Sequence, residues 1–346
     1  MDQEVFLMSL SRRRFLESAS LGTAALGAIA GKLAGADDAA TSGPKSTIPT
    51  RVLGRTGKRV SVLAMGGGSR FLQFSTDALA IDAINHAIDQ GITYMDTAYG
   101  YANGLSETRI GLVMATRRKE VFLADKFADR NGDQAMRRVE ASLKRLQTDH
   151  LDLLNIHSLT DEEDLASIEA PNGVLKRFLQ LRDQKVAGAL GITSHTDPTV
   201  LAKAIDRNDF DCVQMALNAA RVGMKGGTGN MLINPDMKTS FETVALPIAV
   251  RKNMGVIAMK IYAADGLVGQ ATPEKLIQYS LSLPQVALCV IGMPKLEHIA
   301  ENCRIARAFS PMPKGEMQEM GDRLSTKNKL ALDMFLHNHR DEYAVA

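Results

Sequence analysis

The chain has 346 residues, 45% of them hydrophobic and 23% charged, which suits one large domain with a substantial core, or two small ones. Its 41 basic and 39 acidic residues leave a formal net charge of +2, with no basic surplus for a nucleic-acid groove and no basic run outside the N-terminus. Cys212, Cys289 and Cys303 form no Cys-x-x-Cys pair, which argues against a zinc ribbon or a redox dithiol and leaves buried free thiols.

Near its start the chain carries Ser11-Arg12-Arg13-Arg14-Phe15-Leu16, then an uncharged Ala/Gly-rich stretch from Ser18 to Gly31 and a small-residue end, Ala34-Gly35-Ala36. A charged start, a short apolar middle and a small-residue end describe an export signal, and the middle is too short for a stable membrane span. The Ser-Arg-Arg-x-Phe-Leu order resembles the twin-arginine signal of proteins that fold before translocation. That resemblance implies the twin-arginine export machinery as a partner and a periplasmic location, or a cytoplasmic one if the signal is not functional. Residues 1–36 read as this segment, 37–49 as a polar linker, and 50–346 as the folded domain with a tail from about 310.

The folded part opens with Arg51 to Val60, two apolar ends around a Gly-containing turn, which reads as a hairpin capping the bottom of the domain. Short β-branched runs then alternate with helical patterns. The expected strands are Ser61–Met65, Thr93–Thr97, Val121–Lys126, Leu151–His157, Ala187–Thr193, Cys212–Leu217, Val256–Ile261 and Ala287–Ile291. The expected helices are Asp77–Gln90, Glu107–Met114, Asp133–Leu146, Leu175–Gln184, Pro198–Arg207, Phe241–Asn253, Pro273–Leu283 and Leu296–Phe309. Several strands are apolar almost throughout, as when both faces of a parallel strand are covered. Eight strand–helix pairs over about 250 residues make an α/β fold of the (β/α)8 TIM-barrel type, with an N-terminal β-hairpin and a C-terminal helical tail. An open doubly wound sheet would place Gly-x-Gly-x-x-Gly after its first strand. Gly66-Gly67-Gly68-Ser69-Arg70 lacks that spacing, and Gly226-Gly227-Thr228-Gly229 leads into an irregular loop.

Barrel chemistry gathers at the C-terminal ends of the strands. Asp96, Lys126 and His157 fall there on strands two, three and four, with Tyr101 in the loop above Asp96. The set suits proton transfer coupled to hydride transfer. A tyrosine hydroxyl, with an unperturbed pKa of about 10, is too weak an acid near neutral pH, and a neighbouring Lys126 ammonium favours phenolate and lowers it. Asp96 would hold the lysine charged, and His157 would hydrogen-bond a substrate carbonyl.

Met95-Asp96-Thr97-Ala98-Tyr99-Gly100-Tyr101, followed by Ser106-Glu107 and Gly111, resembles the aldo/keto reductase signature around its catalytic Asp and Tyr. Arg51 to Gly67 is similar to that family's hairpin and first strand, Val121 to Phe127 to its lysine strand, and Leu151 to His157 to its histidine strand. The likeness runs from about residue 50 to 310. It implies an enzyme in which the tyrosine gives its proton as a nicotinamide hydride reaches the carbonyl carbon.

The resemblance also implies NADP as cofactor, with NAD possible. Val290-Ile291-Gly292-Met293-Pro294-Lys295 leads into a helix whose free N–H groups attract phosphate. Gly292, Glu301 and Asn302 match the family's cofactor signature, with Lys295 toward the 2′-phosphate and Glu301 and Asn302 beside the adenine. Thr193 and Ser194 occupy the place of its carboxamide-binding Ser-Asn, and Gln214 that of the third carboxamide contact. Asn is replaced by Ser194, and Asp125 stands where Thr or Ser is usual. Lys260, at the end of strand seven, is either a phosphate contact or a solvated strand cap, and His195 reads as a substrate-side residue. His337 and His339 lack a third ligand, so no metal site is expected.

The substrate is expected to be a small carbonyl or alcohol, shaped by the long loops Ala98–Ser106, Leu159–Gly173 and Ala219–Ser240. With no Trp and 5% aromatics, a polar or mixed pocket fits better than an aromatic slot. Two other functions compete: a non-catalytic nicotinamide-binding redox sensor or regulatory subunit, which does not require the full Asp, Tyr, Lys and His set, and a metal-dependent hydrolase, which needs more ligands than the strand ends supply.

Overall fold

A computed structural model describes residues 47–226, 231–234, 237–263 and 266–327. The arginine-rich segment, the linker up to residue 46, the Gly227-Thr228-Gly229 run and the tail histidines lie outside the described residues.

Strands β1 (Thr50–Val52) and β2 (Arg59–Ser61) pair antiparallel, with Arg51 opposite Val60. Between them Leu53 joins the apolar cluster inside the barrel, and Gly54 lies so close to Met254 and Gly255 that a Cβ would start 2.2 Å from their backbone. The hairpin therefore closes the bottom of the barrel, as the sequence suggests.

The barrel strands are β3 (Leu63–Gly66), β4 (Tyr94–Asp96), β5 (Phe122–Phe127), β6 (Leu151–Ile156), β7 (Ala187–Ser194) and β8 (Cys212–Ala216). After a small hairpin, β9 (Met224–Gly226) and β10 (Met231–Ile233), come β11 (Gly255–Met259) and β12 (Val286–Ile291). The eight barrel strands close in parallel in the order β11-β12-β3-β4-β5-β6-β7-β8. Helices α1 (Asp77–Asp89), α2 (Leu105–Arg117) and α3 (Gly132–Arg145) follow the first three. Then come α4 (Glu162–Glu169), α5 (Val174–Asp183), α6 (Pro198–Arg207), α7 (Ala245–Arg251), α8 (Pro273–Ser282), α9 (Leu296–Arg307) and, in the tail, α10 (Lys314–Lys327).

Local chemistry fixes the helix starts. The side chains of Thr76, Asn131, Asp197 and Thr272 accept the free first-turn N–H groups of α1, α3, α6 and α8, and Pro follows the cap in the last two. The apolar faces of these helices then pack on the strands, with Ile84, Val139, Leu201 and Leu276 all at 1% exposure or less. Each such buried aliphatic contributes about 1.5–3 kcal/mol. Gly111 permits the closest helix approach: a Cβ there would lie 1.9 Å from the Arg145 carbonyl at the end of α3.

Three segments differ from the sequence reading. The loop after β6 contains α4, capped by Asp161 and buried through Leu165 and Ile168. The loop after β8 carries the β9–β10 hairpin, with Met231 opposite Gly226. Helix α7 starts at Ala245 rather than Phe241, because Pro247 is tolerated only in a first turn, where its missing N–H needs no partner.

Candidate active site

Side chains of a barrel strand alternate between the interior and the helix layer. Tyr94, Ala124, Leu153 and Cys212 belong to the inner apolar cluster, so the residues two further on, Asp96, Lys126, Asn155 and Gln214, face inward one layer nearer the mouth. All four are at most 3% exposed. An apolar floor thus carries a dry polar layer.

The centre of that layer is an ion pair. Lys126 Nζ donates to Asp96 Oδ1 at 2.6 Å and to the Thr97 carbonyl at 2.5 Å. Burial works against the ammonium, but the charges of Asp96 and Tyr101 and the hydrogen bond to Asp96 outweigh it and hold the lysine above its ordinary range. Gln214 lies beside the same carboxylate.

Tyr101 stands over this pair. It begins a single 3-10 turn after β4, followed by Ala102 and Asn103 at φ 47° and 54° and Gly104 at φ 90°. Three successive left-handed residues fold the chain back into α2, a local strain of the kind that collects at functional sites. The turn is pinned by the Thr97 and Ser106 hydroxyls, 2.8 Å apart. The Lys126 ammonium lies 5.0 Å from the Tyr101 ring centroid. The ring meets the His157 imidazole edge-on at 5.9 Å, and Gly68 lies beside it, where a Cβ would make an ordinary contact with the ring at 3.5 Å.

His157 follows β6 directly. Burial, then the positive charge of Lys126, with His195, Arg130 and Lys260 behind it, pushes its imidazole well below the usual histidine range, so it is neutral near pH 7. Arg130 is a residue that the sequence reading missed. Its guanidinium forks onto Asp164 at 2.6 and 2.8 Å and donates to the carbonyls of His157 at 2.9 Å and Ser158 at 3.1 Å, which fixes the turn that carries the histidine. Asp164 lies on α4, and without that helix the pairing has no visible signal in the sequence.

On β7, the Thr193 hydroxyl accepts the Ser158 N–H at 2.8 Å, and the Ser194 hydroxyl donates to the Leu159 carbonyl at 2.7 Å. Both tie β7 to the turn after His157, and Thr193 keeps its own O–H proton. Gln214 Oε1 is buried with no hydrogen-bond partner in the structure, an acceptor held ready at the mouth. His195 Nδ1 lies 3.0 Å from the Met224 carbonyl, linking the β7 end to the β9–β10 hairpin.

The other half of the mouth is more open. Lys260, immediately after β11, is half-buried with φ 56°. Gly292 follows β12 and faces the Arg70 stem, 2.7 Å from where a Cβ would be. Lys295 is exposed and precedes α9 without a side-chain cap, which leaves first-turn N–H groups directed outward. Glu301 is exposed, whereas Asn302 is buried and accepts from the Tyr262 hydroxyl at 3.3 Å. The structure thus gathers Asp96, Tyr101, Lys126, His157 and Gln214 closely and sets Gly292, Lys295, Glu301 and Asn302 across the mouth.

The model of the aldo/keto reductase family matches residues 62–275. The uncharacterized oxidoreductase YqkF of Bacillus subtilis is 25% identical over 271 residues, 66% of this chain and 82% of that protein. Among solved structures, the holo form of aldo-keto reductase AKR11C1 from Bacillus halodurans is 21% identical, with TM-score 0.64 over 82% of this chain and 99% of its own. An aldo-keto reductase from Klebsiella pneumoniae, crystallised in complex with NADPH, is 21% identical with TM-score 0.59, covering 81% and 96%. On the family match and the barrel together, the chain belongs to the aldo/keto reductase family.

Proposed function

We propose that the protein is an NADP-dependent reductase of small aldehydes or ketones, running in reverse as an alcohol dehydrogenase, with Tyr101 as proton donor. The observation that carries this is the dry Asp96–Lys126 pair with its ammonium 5.0 Å from the Tyr101 ring centroid. The ammonium draws negative charge onto the phenol oxygen, so Tyr101 can give its proton to a carbonyl oxygen at neutral pH. His157, neutral and edge-on to that ring, is placed to donate a hydrogen bond to the same oxygen. Asp96 keeps Lys126 charged.

The residues present fit a nicotinamide dinucleotide. The orphaned Gln214 Oε1 and the remaining Thr193 proton offer an acceptor and a donor to a carboxamide. The outward N–H groups of α9, with Gly292 and Lys295, suit phosphate, and Glu301 and Asn302 lie one to two turns further along α9 for the adenine. Lys260 stands as a further phosphate contact. The NADPH complex of the Klebsiella protein supports NADP over NAD. When bound, the nicotinamide supplies the hydride to the carbonyl carbon. Ser194, whose hydroxyl is committed to Leu159, contributes its place in the β7 end rather than a free donor.

The test is NADPH- and NADH-linked turnover by the purified protein on a panel of small aldehydes and ketones. Turnover with NADPH supports the reading, whereas tight nucleotide binding with no turnover on any carbonyl points to a redox sensor.

Export is the remaining part of the proposal. The Ser11 to Leu16 run fits a twin-arginine signal and a periplasmic destination. Free nicotinamide cofactors are expected inside the cell, so the enzyme would leave folded with its cofactor bound and recycle it between two substrates. Cell fractionation of Arg12→Lys, Arg13→Lys should retain the protein in the cytoplasm, and unchanged distribution contradicts export by this route.

A further inference from the structure

Asp125 and Glu107 are two buried carboxyl groups that the proposed reaction leaves unused. Strand alternation turns Asp125 away from the interior, where Lys126 points, and into the layer between β5 and α2. There its carboxyl comes up against that of Glu107, and both residues are 0% exposed. Asp125 Oδ1 accepts the Lys126 N–H at 2.8 Å, and Glu107 Oε2 accepts Arg145 Nε at 2.5 Å. The second oxygens, Asp125 Oδ2 and Glu107 Oε1, are buried with no donor. Two carboxylates can hydrogen-bond each other only through a proton, and without one they would set like charges together in an apolar layer.

We infer that Asp125 and Glu107 share one proton, which leaves Asp125 a neutral acid behind Lys126 and makes it a positioning residue for the charge of the lysine. The guanidinium of Arg145 is paired with Glu107. Burial, and then the neighbouring Glu107 charge and its hydrogen bond, push Asp125 well above the usual carboxylate range. The charged group facing the pair is Arg145 at the end of α3, with the Lys126 ammonium on the inner side of β5. Were Asp125 ionised, its negative charge would offset part of the field that Lys126 exerts on Tyr101. The shared proton does not depend on the reaction, and its effect on Tyr101 rests on the proposed reductase activity.

Difference infrared spectroscopy of the full-length protein against Asp125→Asn, at neutral pH, tests the proton directly. The C=O stretch of a hydrogen-bonded carboxylic acid is expected in the parent protein and lost in the variant, and its absence from the parent overturns the inference. The alkaline limb of NADPH-linked carbonyl reduction tests the positioning role. Asp125→Asn, whose amide donates to Glu107 as the acid does, is expected to keep the limb in place. Glu107→Gln removes the neighbouring charge that holds the proton on Asp125 and offers it an amide N–H instead, so negative charge settles behind Lys126 and the limb moves up by roughly one pH unit. An unmoved limb in Glu107→Gln, or an equal shift in Asp125→Asn, overturns that role. A protein with no turnover would still show or lack the infrared band, so failure of the reductase reading and failure of the shared proton are told apart.

Discussion

The two halves of the barrel mouth are built differently. On the β4–β6 side, Asp96 and Lys126 are nearly inaccessible and bonded to one another, with Tyr101 and His157 meeting edge-on above them. On the β11–β12 side, Lys295 and Glu301 are exposed, Lys260 is half-buried, and α9 begins with no side-chain cap. The contrast separates two tasks. Groups that handle a proton need fixed positions and low dielectric before any ligand arrives. Groups that hold phosphate can wait in water, because the ligand brings the charge that organises them.

Breaking the closed half should have the larger effect. Lys126→Met removes the ammonium and leaves Asp96 buried without its counter-charge. It is expected to lower kcat by about 100-fold or more and to cost roughly 3–5 kcal/mol in urea unfolding. A variant as stable and as active as the parent would mean that the pair is not the centre of the site. Gly111→Ala, far from the mouth, should be strongly destabilising too, because its methyl would lie 1.9 Å from the Arg145 carbonyl and must push α2 off α3. Thermal unfolding measures this loss, with kcat per folded molecule little changed.

The open half should respond in binding rather than chemistry. Lys295→Ala is expected to raise the Kd of NADPH about tenfold, with the Kd of NADH and kcat nearly unchanged. Fluorescence titration with both nucleotides checks it, and an equal loss for both would place Lys295 away from the 2′-phosphate.

The smallest effect concerns His157. Its folded-state imidazole titrates well below the usual 6.5, whereas the unfolded chain takes up its proton near that value. The stability it contributes is therefore complete above about pH 6.5 and is lost as pH falls toward the folded value. Urea midpoints from pH 7 down to 5 should decline less in His157→Gln than in the parent. Identical declines would contradict a histidine held neutral in the folded protein.

Much of this was legible in the chain because the signals are local. Near-continuous apolar runs such as Leu151–Ile156 mark the strands, and strand ends alone place Asp96, Lys126 and His157 on one rim. What was hidden depends on partners distant in sequence. Helix α4 is short and acidic and reads as loop until Leu165 and Ile168 find the core, so the Arg130–Asp164 fork that fixes His157 had no visible cause. Asp125 showed only as an unusual residue before Lys126, because its meaning depends on Glu107 arriving from α2. The hydroxyls of Thr193 and Ser194 looked free in sequence, and only the turn after His157 reveals their hydrogen bonds.

The central claim is that Tyr101 delivers the proton under the influence of Lys126. Its most direct test compares Tyr101→Phe with the parent protein for kcat on the best carbonyl substrate and for NADPH affinity by fluorescence titration. The account predicts a fall in kcat of about 100- to 10,000-fold with NADPH binding within about twofold of the parent. A variant that turns over at the parent rate would contradict it.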